Sequence, residues 1–174
     1  EGVVSSAGKT VPIAGTGYLE KDRGTSFPQR YIWFQSNQCG VQDSCFFFSL
    51  ASIPIGPLTF NGCLIVVKLQ DQLHRFATYT GCRLQSLQCD QHQDGSGWAQ
   101  LRFHQGAWQI WIDLECGPAC TLASPKQGKM QGRIQESLSG KAHVTLFHHG
   151  MKRHESLWEQ GGMELQWELA AAEQ

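Results

Sequence analysis

Two carboxylic acids lie close together near the start of the sequence, at positions that could take part in acid–base chemistry. In the segment YLEKDRG, Glu20 and Asp22 share a parity, and Lys21 lies between them on the other. A buried carboxylic acid keeps its proton to a higher pH and can donate it to a substrate. Lys21 could instead pair with a carboxylate and keep it ionised, in which case Glu20 is structural. The residues alone leave both interpretations open.

A second polar set follows in residues 30–37 (RYIWFQSN), where alternate residues would share one face of a strand. Trp33, Gln35 and Asn37 have the same parity as Tyr31. Two carboxamides beside an indole make a poor core, since each costs ~1–3 kcal/mol when buried without a partner. The face therefore meets solvent or bonds to backbone, or it lines a pocket in which Trp33 is an apolar wall. The pocket interpretation predicts that the three side chains point inward, into an apolar chamber.

Other common catalytic and metal-binding patterns are absent from the sequence. Among seven histidines, His148 and His149 would face opposite sides of a strand, and no HExxH or paired Cys/His spacing occurs. GxSxG, P-loop and Rossmann-type glycine motifs are also missing. Seven cysteines are scattered without a CxxC pair, which favours reduced thiols over a disulfide framework. We therefore expect neither a metal nor a cofactor.

Length and composition place these residues in one globular domain. The chain has 174 residues, of which 41% are hydrophobic and 17% charged, and this is too apolar for a disordered protein. A formal net charge of -1 provides no basic surface, so we expect no nucleic-acid partner. The longest nearly apolar stretch, residues 45–55, is far shorter than the ~20 residues of a membrane helix.

Period-two alternation dominates the chain after residue 17 and predicts strands separated by turns. We expect three hairpins, formed by 63–69 with 73–79, by 98–104 with 107–115, and by 143–147 with 151–158. Residues 30–37, 45–53 and 163–169 have the pattern of further strands. The segment with the best helical pattern is 130–138, which glycine weakens. The pattern predicts an all-β fold, an antiparallel β-barrel or sandwich with little helix.

The ends of the sequence differ in character from its middle. Residues 1–16 are small, polar and glycine-rich, and we expect a flexible lead-in followed by one β-barrel domain over 17–174. The sequence starts at Glu1 with neither an initiator methionine nor a signal peptide, which favours a fragment of a longer protein. Large apolar groups on both parities, as at Phe34 and Trp111, predict a sheet that is covered on both sides.

One long segment is similar to a known family. Residues 17–37 (GYLEKDRGTSFPQRYIWFQSN) resemble the tocopherol cyclase signature, roughly G-Y-x-E-K-[DN]-W-G-x-x-F-P-x-x-[YW]-I-W-x-Q-[SC]-N, without a gap. The matching residues include Glu20, Lys21, Gly24, Phe27, Pro28, Trp33, Gln35 and Asn37. Residues 75–81 (RFATYTG) and 124–147, which include Glu136, also resemble the family. The resemblance therefore covers most of the chain.

Two departures accompany the resemblance. Arg23 stands where the family has tryptophan, which removes a large ring and adds a charge beside the best-matched segment. Family members also carry an N-terminal half, marked by a G-W-Y-F-K-like segment that this sequence lacks. We therefore expect this chain to be a C-terminal half, with the missing N-terminal half as its partner.

The resemblance implies a lipocalin-like half, related to carotenoid hydratase-like proteins. It also implies an isomerase of vitamin E biosynthesis that closes a prenylated hydroquinone (a prenylquinol) to a chromanol, without a redox cofactor. Many bacterial relatives have unknown substrates. Since plant relatives lie in plastids and the substrate is an apolar small molecule, the expected location is a plastid, the cytoplasm or the periphery of a membrane.

Ring closure indicates roles for particular residues. A carboxylic acid must protonate a trisubstituted alkene, and aromatic faces stabilise the resulting tertiary cation by up to ~2 kcal/mol. The candidate catalytic acids are Glu20, Asp22 and Glu136. The candidate substrate-binding residues are Tyr31, Trp33, Gln35, Asn37 and Trp111. Two alternatives fit the same residues: a non-catalytic lipocalin-like binder of an apolar isoprenoid, and an inactive truncated half with an exposed interface.

Overall fold

The computed structural model describes residues 1–21 and 24–167, which form two antiparallel sheets. The strands are β1 (Gly2–Ser6), β2 (Lys9–Ile13), β3 (Tyr31–Ser36), β4 (Cys45–Ile55), β5 (Leu58–Leu69), β6 (Gln72–Ala77), β7 (Arg83–Gln91), β8 (Gly97–Gln105), β9 (Trp108–Cys116), β10 (Cys120–Lys126), β11 (Lys129–His148) and β12 (Met151–Gln166). A 3₁₀ helix at Thr78–Thr80 lies between β6 and β7. Within the described residues, no helix is both long and apolar enough to span a membrane. The prediction of an all-β fold with little helix is confirmed.

The larger sheet is antiparallel throughout and follows the order β6-β5-β4-β3-β12-β11-β9-β8-β7, with β10 added beside β11. The three predicted hairpins are confirmed as β5–β6, β8–β9 and β11–β12. In the described part of the chain, the sheet is not closed by strand pairing between β6 and β7. Gln105 of β8, the strand next to β7, hydrogen-bonds to β6 across this gap: its side chain accepts from Ala77 N–H at 3.2 Å and donates to the Arg75 carbonyl at 3.3 Å.

The inner face of the rolled sheet is filled by apolar side chains of alternate parity. Ile32 and Phe34 of β3 are fully buried in this core. Phe48 of β4 meets Phe103 of β8 with ring centroids 5.9 Å apart, although five strand pairings separate β4 from β8 along the sheet. Side chains from opposite walls therefore touch across the interior. Burying each such side chain contributes about 1.5–3 kcal/mol to stability.

Residues 130–138 belong to β11 and not to a helix, which corrects the sequence interpretation. Met130, Ile134 and Leu138 recur at every fourth position, and this spacing fits one face of a helix. The same spacing also keeps all three on one face of a strand, because four is a multiple of two. Pairing with β10 on one side and β12 on the other decides the outcome.

The lead-in of residues 1–16 contains the two-stranded hairpin β1–β2, all of whose residues are exposed. Its turn has positive φ at Ala7 (50°) and Gly8 (76°), as a two-residue hairpin turn requires. Composition alone does not predict this hairpin, because an isolated pair of strands is marginally stable in water.

Residues 17–21 and 24–30, here called the overlying segment, cross the outer face of the sheet before β3 begins. Tyr18 stacks on Phe47 of β4 with ring centroids 6.3 Å apart. Phe27 packs on Tyr31 with centroids 6.0 Å apart. These aromatic contacts hold both described ends of the overlying segment against the sheet.

The turn between β10 and β11 also holds the overlying segment. Gly128 N–H donates to the Thr25 carbonyl at 2.8 Å, and Gln127 N–H donates to Ser26 Oγ at 3.0 Å. The segment is therefore fixed between the outer face of the sheet and this turn, and the two surfaces enclose space beneath it.

Candidate functional site

The polar set of β3 lies on the outer face of the sheet. Trp33, Gln35 and Asn37 share one face, as their parity predicts. The opposite face of β3, which carries Ile32 and Phe34, is the one that packs in the core. The expectation that the set points into an internal chamber is therefore corrected. Period two decides which residues share a face, whereas the cost of burying carboxamides decides which face is inward.

A cavity of about 580 Å³, here called the outer cavity, lies between this face and the overlying segment. Its lining residues are Glu20, Gly24, Ser26, Phe27, Pro28, Tyr31, Trp33, Ser49, Ala51, Pro125 and Glu164. The floor of the outer cavity is formed by three neighbouring strands, because the register places Trp33 of β3 opposite Ser49 of β4 and Glu164 of β12. Paired strands thus form the floor, and the overlying segment forms much of the wall.

A hydrogen-bonded phenol and carboxyl lie on the floor of the outer cavity. The Tyr31 O–H donates to Glu164 Oε2 at 2.5 Å. Burial raises the pKa of Tyr31 far above its ordinary value, and the hydrogen bond and charge of Glu164, with the charge of Glu136, raise that pKa further. The phenol therefore stays protonated and acts as the donor of this pair.

Glu20 lies at the mouth of the outer cavity and is exposed. Its Oε2 accepts a hydrogen bond from Trp33 Nε1 at 3.1 Å and another from the Tyr18 O–H at 2.7 Å. Glu20 thus connects the overlying segment to the indole of β3. The apolar shielding expected around a catalytic carboxylic acid is not found at this position.

Glu136 lies directly opposite Glu164 in the pairing of β11 with β12. A Cβ added at Gly162 would lie 3.0 Å from Trp33 Cζ3 and 3.6 Å from Glu136 Oε1. The absence of a side chain at Gly162 therefore leaves room for the indole over β12, with Glu136 beside it. Three carboxyl groups, from Glu20, Glu136 and Glu164, are grouped around Trp33.

Three other predicted site residues, Gln35, Asn37 and Trp111, lie outside the lining of the outer cavity. Gln35 Nε2 donates to Asn37 Oδ1 at 2.8 Å, so the two side-chain amides are hydrogen-bonded to each other. Trp111 lies on β9 and is 43% exposed. Its ring packs on Phe147 with ring centroids 4.7 Å apart, and the Arg102 guanidinium carbon lies 5.0 Å from the indole centroid. The structure therefore brings Glu20, Tyr31, Trp33 and Glu136 together and leaves these three apart.

Sequence reasoning misses Glu164 and cannot be checked at two other positions. The alternating segment 163–169 predicts a strand, but nothing in it marks Glu164 as a partner of Tyr31, 133 residues away. Its position opposite the β3 face could be found only from the order of strands. Asp22, a predicted acid, lies outside the described residues together with Arg23, and its role stays a prediction.

Two further findings bear on the function of the outer cavity. In the described residues, no group of three or more histidine, cysteine, aspartate or glutamate side chains is arranged to hold a metal ion. Comparison of the chain with family models, with curated proteins and with solved structures gave no match. Functional conclusions therefore rest on the residues of the outer cavity and on the sequence pattern of 17–37.

Proposed function

We propose that this chain is a tocopherol cyclase-like protein that closes a prenylated hydroquinone to a chromanol by acid catalysis. The observation that carries the proposal is that residues behind the sequence resemblance meet in space. Of the fourteen residues of 17–37 that match the signature, six line the outer cavity: Glu20, Gly24, Phe27, Pro28, Tyr31 and Trp33. A signature whose members surround one cavity of ligand size is expected of residues that bind a substrate.

The lining of the outer cavity supplies the groups that the reaction needs. The carboxyl groups of Glu20 and Glu164 are within the cavity as proton donors. The rings of Trp33 and Phe27 provide faces that stabilise a tertiary cation by up to ~2 kcal/mol. The overlying segment limits the access of water, which would otherwise trap the cation. Ring closure changes no oxidation state, so the proposal requires no cofactor.

A second cavity of about 660 Å³ adjoins the first and suits an apolar prenyl tail. The two cavities share residues 26–28. The second has Gln29 and Arg30 in its lining as well and continues along Ile53 and Pro54 of β4. No charged residue occurs between Asp43 and Lys68, so the β4–β5 hairpin presents an uncharged surface to the tail. A hydroquinone ring in the outer cavity would thus extend its tail along this hairpin.

Incubation with a prenylated hydroquinone tests the proposal. Ring closure leaves the mass unchanged and shifts the chromatographic retention, and we expect this shift with the parent chain. Trp33→Leu should lower the rate roughly 10- to 30-fold, because it removes up to ~2 kcal/mol of cation stabilisation. Trp111→Leu is the matched control and should leave the rate unchanged. Unaltered retention after incubation with the parent chain would count against ring closure.

The second candidate function is non-catalytic binding of an apolar isoprenoid, and the position of Glu20 favours it. This carboxyl is exposed and already accepts two hydrogen bonds that fix the cavity wall. A binder would show saturable quenching of tryptophan fluorescence by the prenylquinol without any new product. In that case Glu20→Gln would change affinity alone.

A further inference from the structure

We infer that Glu164 is the general acid of the outer cavity and that Tyr31 is its positioning residue. The inference rests on the proposed function and deepens it, since the sequence resemblance points to Glu20, Asp22 and Glu136 instead. Glu164 lines the cavity from its floor, on a strand paired with β3 and with β11. Its carboxyl accepts a hydrogen bond from the phenol of Tyr31, a residue that is only 8% exposed.

The position of Glu164 suits proton transfer better than that of Glu20. Glu164 is half-buried on a strand that has a hydrogen-bonded neighbour on each side, whereas Glu20 is exposed in the overlying segment. A group held by rigid, paired strands keeps a productive orientation more closely than one on an irregular segment. Burial on the floor also brings the Glu164 carboxyl next to the aromatic faces that would receive the cation.

Tyr31 strengthens this assignment through the bond that it donates. When the Glu164 carboxyl carries its proton, the neutral phenol donates to a neutral carboxyl, and once that proton has left, the phenol donates to a carboxylate. The second hydrogen bond is charge-assisted and stronger than the first. Tyr31 therefore stabilises the state that follows proton transfer more than the resting state, which is the condition for lowering a barrier.

Glu136 favours a proton on the pair before the reaction. Glu136 and Glu164 lie directly opposite each other, and like charges in that position destabilise a sheet. A proton on the Glu164 carboxyl removes this repulsion. Glu164 can thus carry the proton, Glu136 favours the protonated form of Glu164, and the phenol of Tyr31 stabilises the carboxylate that remains after proton transfer.

The proposed steps balance without any added reactant. The Glu164 carboxyl gives its proton to the less substituted carbon of the alkene, whose π electrons form the new C–H bond. The phenol oxygen of the substrate then forms a C–O bond to the tertiary cation. The phenol proton returns to the Glu164 carboxylate, so the product is an isomer of the substrate and the acid is restored.

The test is turnover of a prenylated hydroquinone in D₂O by the full chain and by four variants. Deuterium on the exchangeable carboxyl is transferred to carbon, so the chromanol gains one mass unit that survives washing in H₂O. We expect Glu164→Gln to lower kcat about 10²- to 10⁴-fold, the usual effect of removing a general acid. Affinity for the chromanol, measured by tryptophan quenching, should change less than threefold. Glu20→Gln should lower kcat less than Glu164→Gln does, and the remote, exposed Glu115→Gln should keep kcat within threefold.

Tyr31→Phe separates a positioning role from a merely structural one. Without the donated bond the carboxylate is less stable, so the pH at which activity is half lost should move upward while kcat falls about 5- to 30-fold. A parent chain that forms no deuterated chromanol overturns the proposed function and this inference together. A deuterated product from the parent, with Glu164→Gln still active or with an unmoved Tyr31→Phe pH profile, overturns the inference alone.

Discussion

Tyr31 couples the stability of this protein to alkaline pH. Burial, followed by Glu164 and Glu136, raises the pKa of its phenol in the folded state. An unfolded tyrosine ionises near pH ~10. The folded state therefore holds this proton more tightly, and the resulting stabilisation is fully present below pH ~10. It is lost as the pH rises above that value toward the folded pKa.

Replacement of the phenol should remove this part of the pH dependence. At pH 8, Tyr31→Phe should lower the free energy of unfolding by about 0.5–1.5 kcal/mol, because one hydrogen bond is lost. Above pH ~10 the parent should lose stability more steeply than the variant, by up to ~1.4 kcal/mol per pH unit. Urea unfolding followed across this pH range measures both effects.

The exposed Tyr79 provides the control for this experiment, since its side chain lies in water before and after unfolding. Tyr79→Phe should follow the parent curve at every pH. Parallel curves for the parent and for Tyr31→Phe above pH ~10 would show that the phenol at position 31 does not carry the expected coupling.

The sequence predicts which side chains lie together where they belong to the same face of one strand. The parity of RYIWFQSN places Trp33 and Tyr31 on one face, and both line the outer cavity. The same parity includes Gln35, which lies beyond the cavity and bonds to its neighbour Asn37. The Tyr31–Glu164 bond joins residues 133 apart, and no local spacing encodes it. Contacts of this kind depend on strand order, which a single sequence does not display.

At the scale of elements, the pairing of β11 with β12 depends on two glycines that face each other. Gly140 lies opposite Gly161, between two register shifts in β11. A Cβ at Gly161 would lie 2.4 Å from Phe34 Cζ and 3.0 Å from the Gln35 carbonyl oxygen. The Phe34 ring therefore occupies the space left by the missing side chain, and it is itself fully buried.

Gly161→Ala should destabilise the fold by about 1–3 kcal/mol, because a buried ring and a backbone carbonyl must both shift to admit the methyl group. The free energy of urea unfolding measures the effect. Gly62→Ala is the matched control. Its Cβ would meet the terminal Cδ1 of Ile53, which can rotate away, and the expected change is under ~0.5 kcal/mol. Equal stability of Gly161→Ala and the parent would contradict this packing argument.

Strands were predictable because alternation is a property of neighbouring residues. The hairpins β5–β6, β8–β9 and β11–β12 follow the pattern closely. Residues 130–138 were misassigned because a four-residue spacing satisfies both a helix and a strand. Whether a face of β3 is inner or outer depends on which strands enclose it, so parity alone could not locate the outer cavity.

At the scale of the whole molecule, exposed apolar side chains gather at the tip of the β4–β5 hairpin. Ile55 is 62% exposed and Leu58 is 73% exposed, with Ile53 and Phe60 exposed beside them. A contiguous apolar patch of this kind favours association with another surface. It fits the expectation of a partner half or of contact with a membrane, both of which stay predictions.

The double variant Ile55→Asp with Leu58→Asp should reduce self-association, because charges at the tip oppose burial of the patch. Sedimentation velocity should show the parent forming larger species at high concentration and the variant sedimenting as a 19.4 kDa monomer. Leu73→Asp, at an exposed leucine of β6, is the control and should behave as the parent. Identical sedimentation of the parent and the double variant would exclude the tip as the associating surface.

We place the ligand in the outer cavity, outside the rolled sheet, since Phe48 and Phe103 meet across the interior of the sheet. NMR spectra of the chain with a bound chromanol measure this placement directly. We expect intermolecular NOEs from the chromanol methyl groups to the indole protons of Trp33 and the ring protons of Tyr31. NOEs to Phe48 and Phe103 instead, or no saturable binding at all, would contradict it.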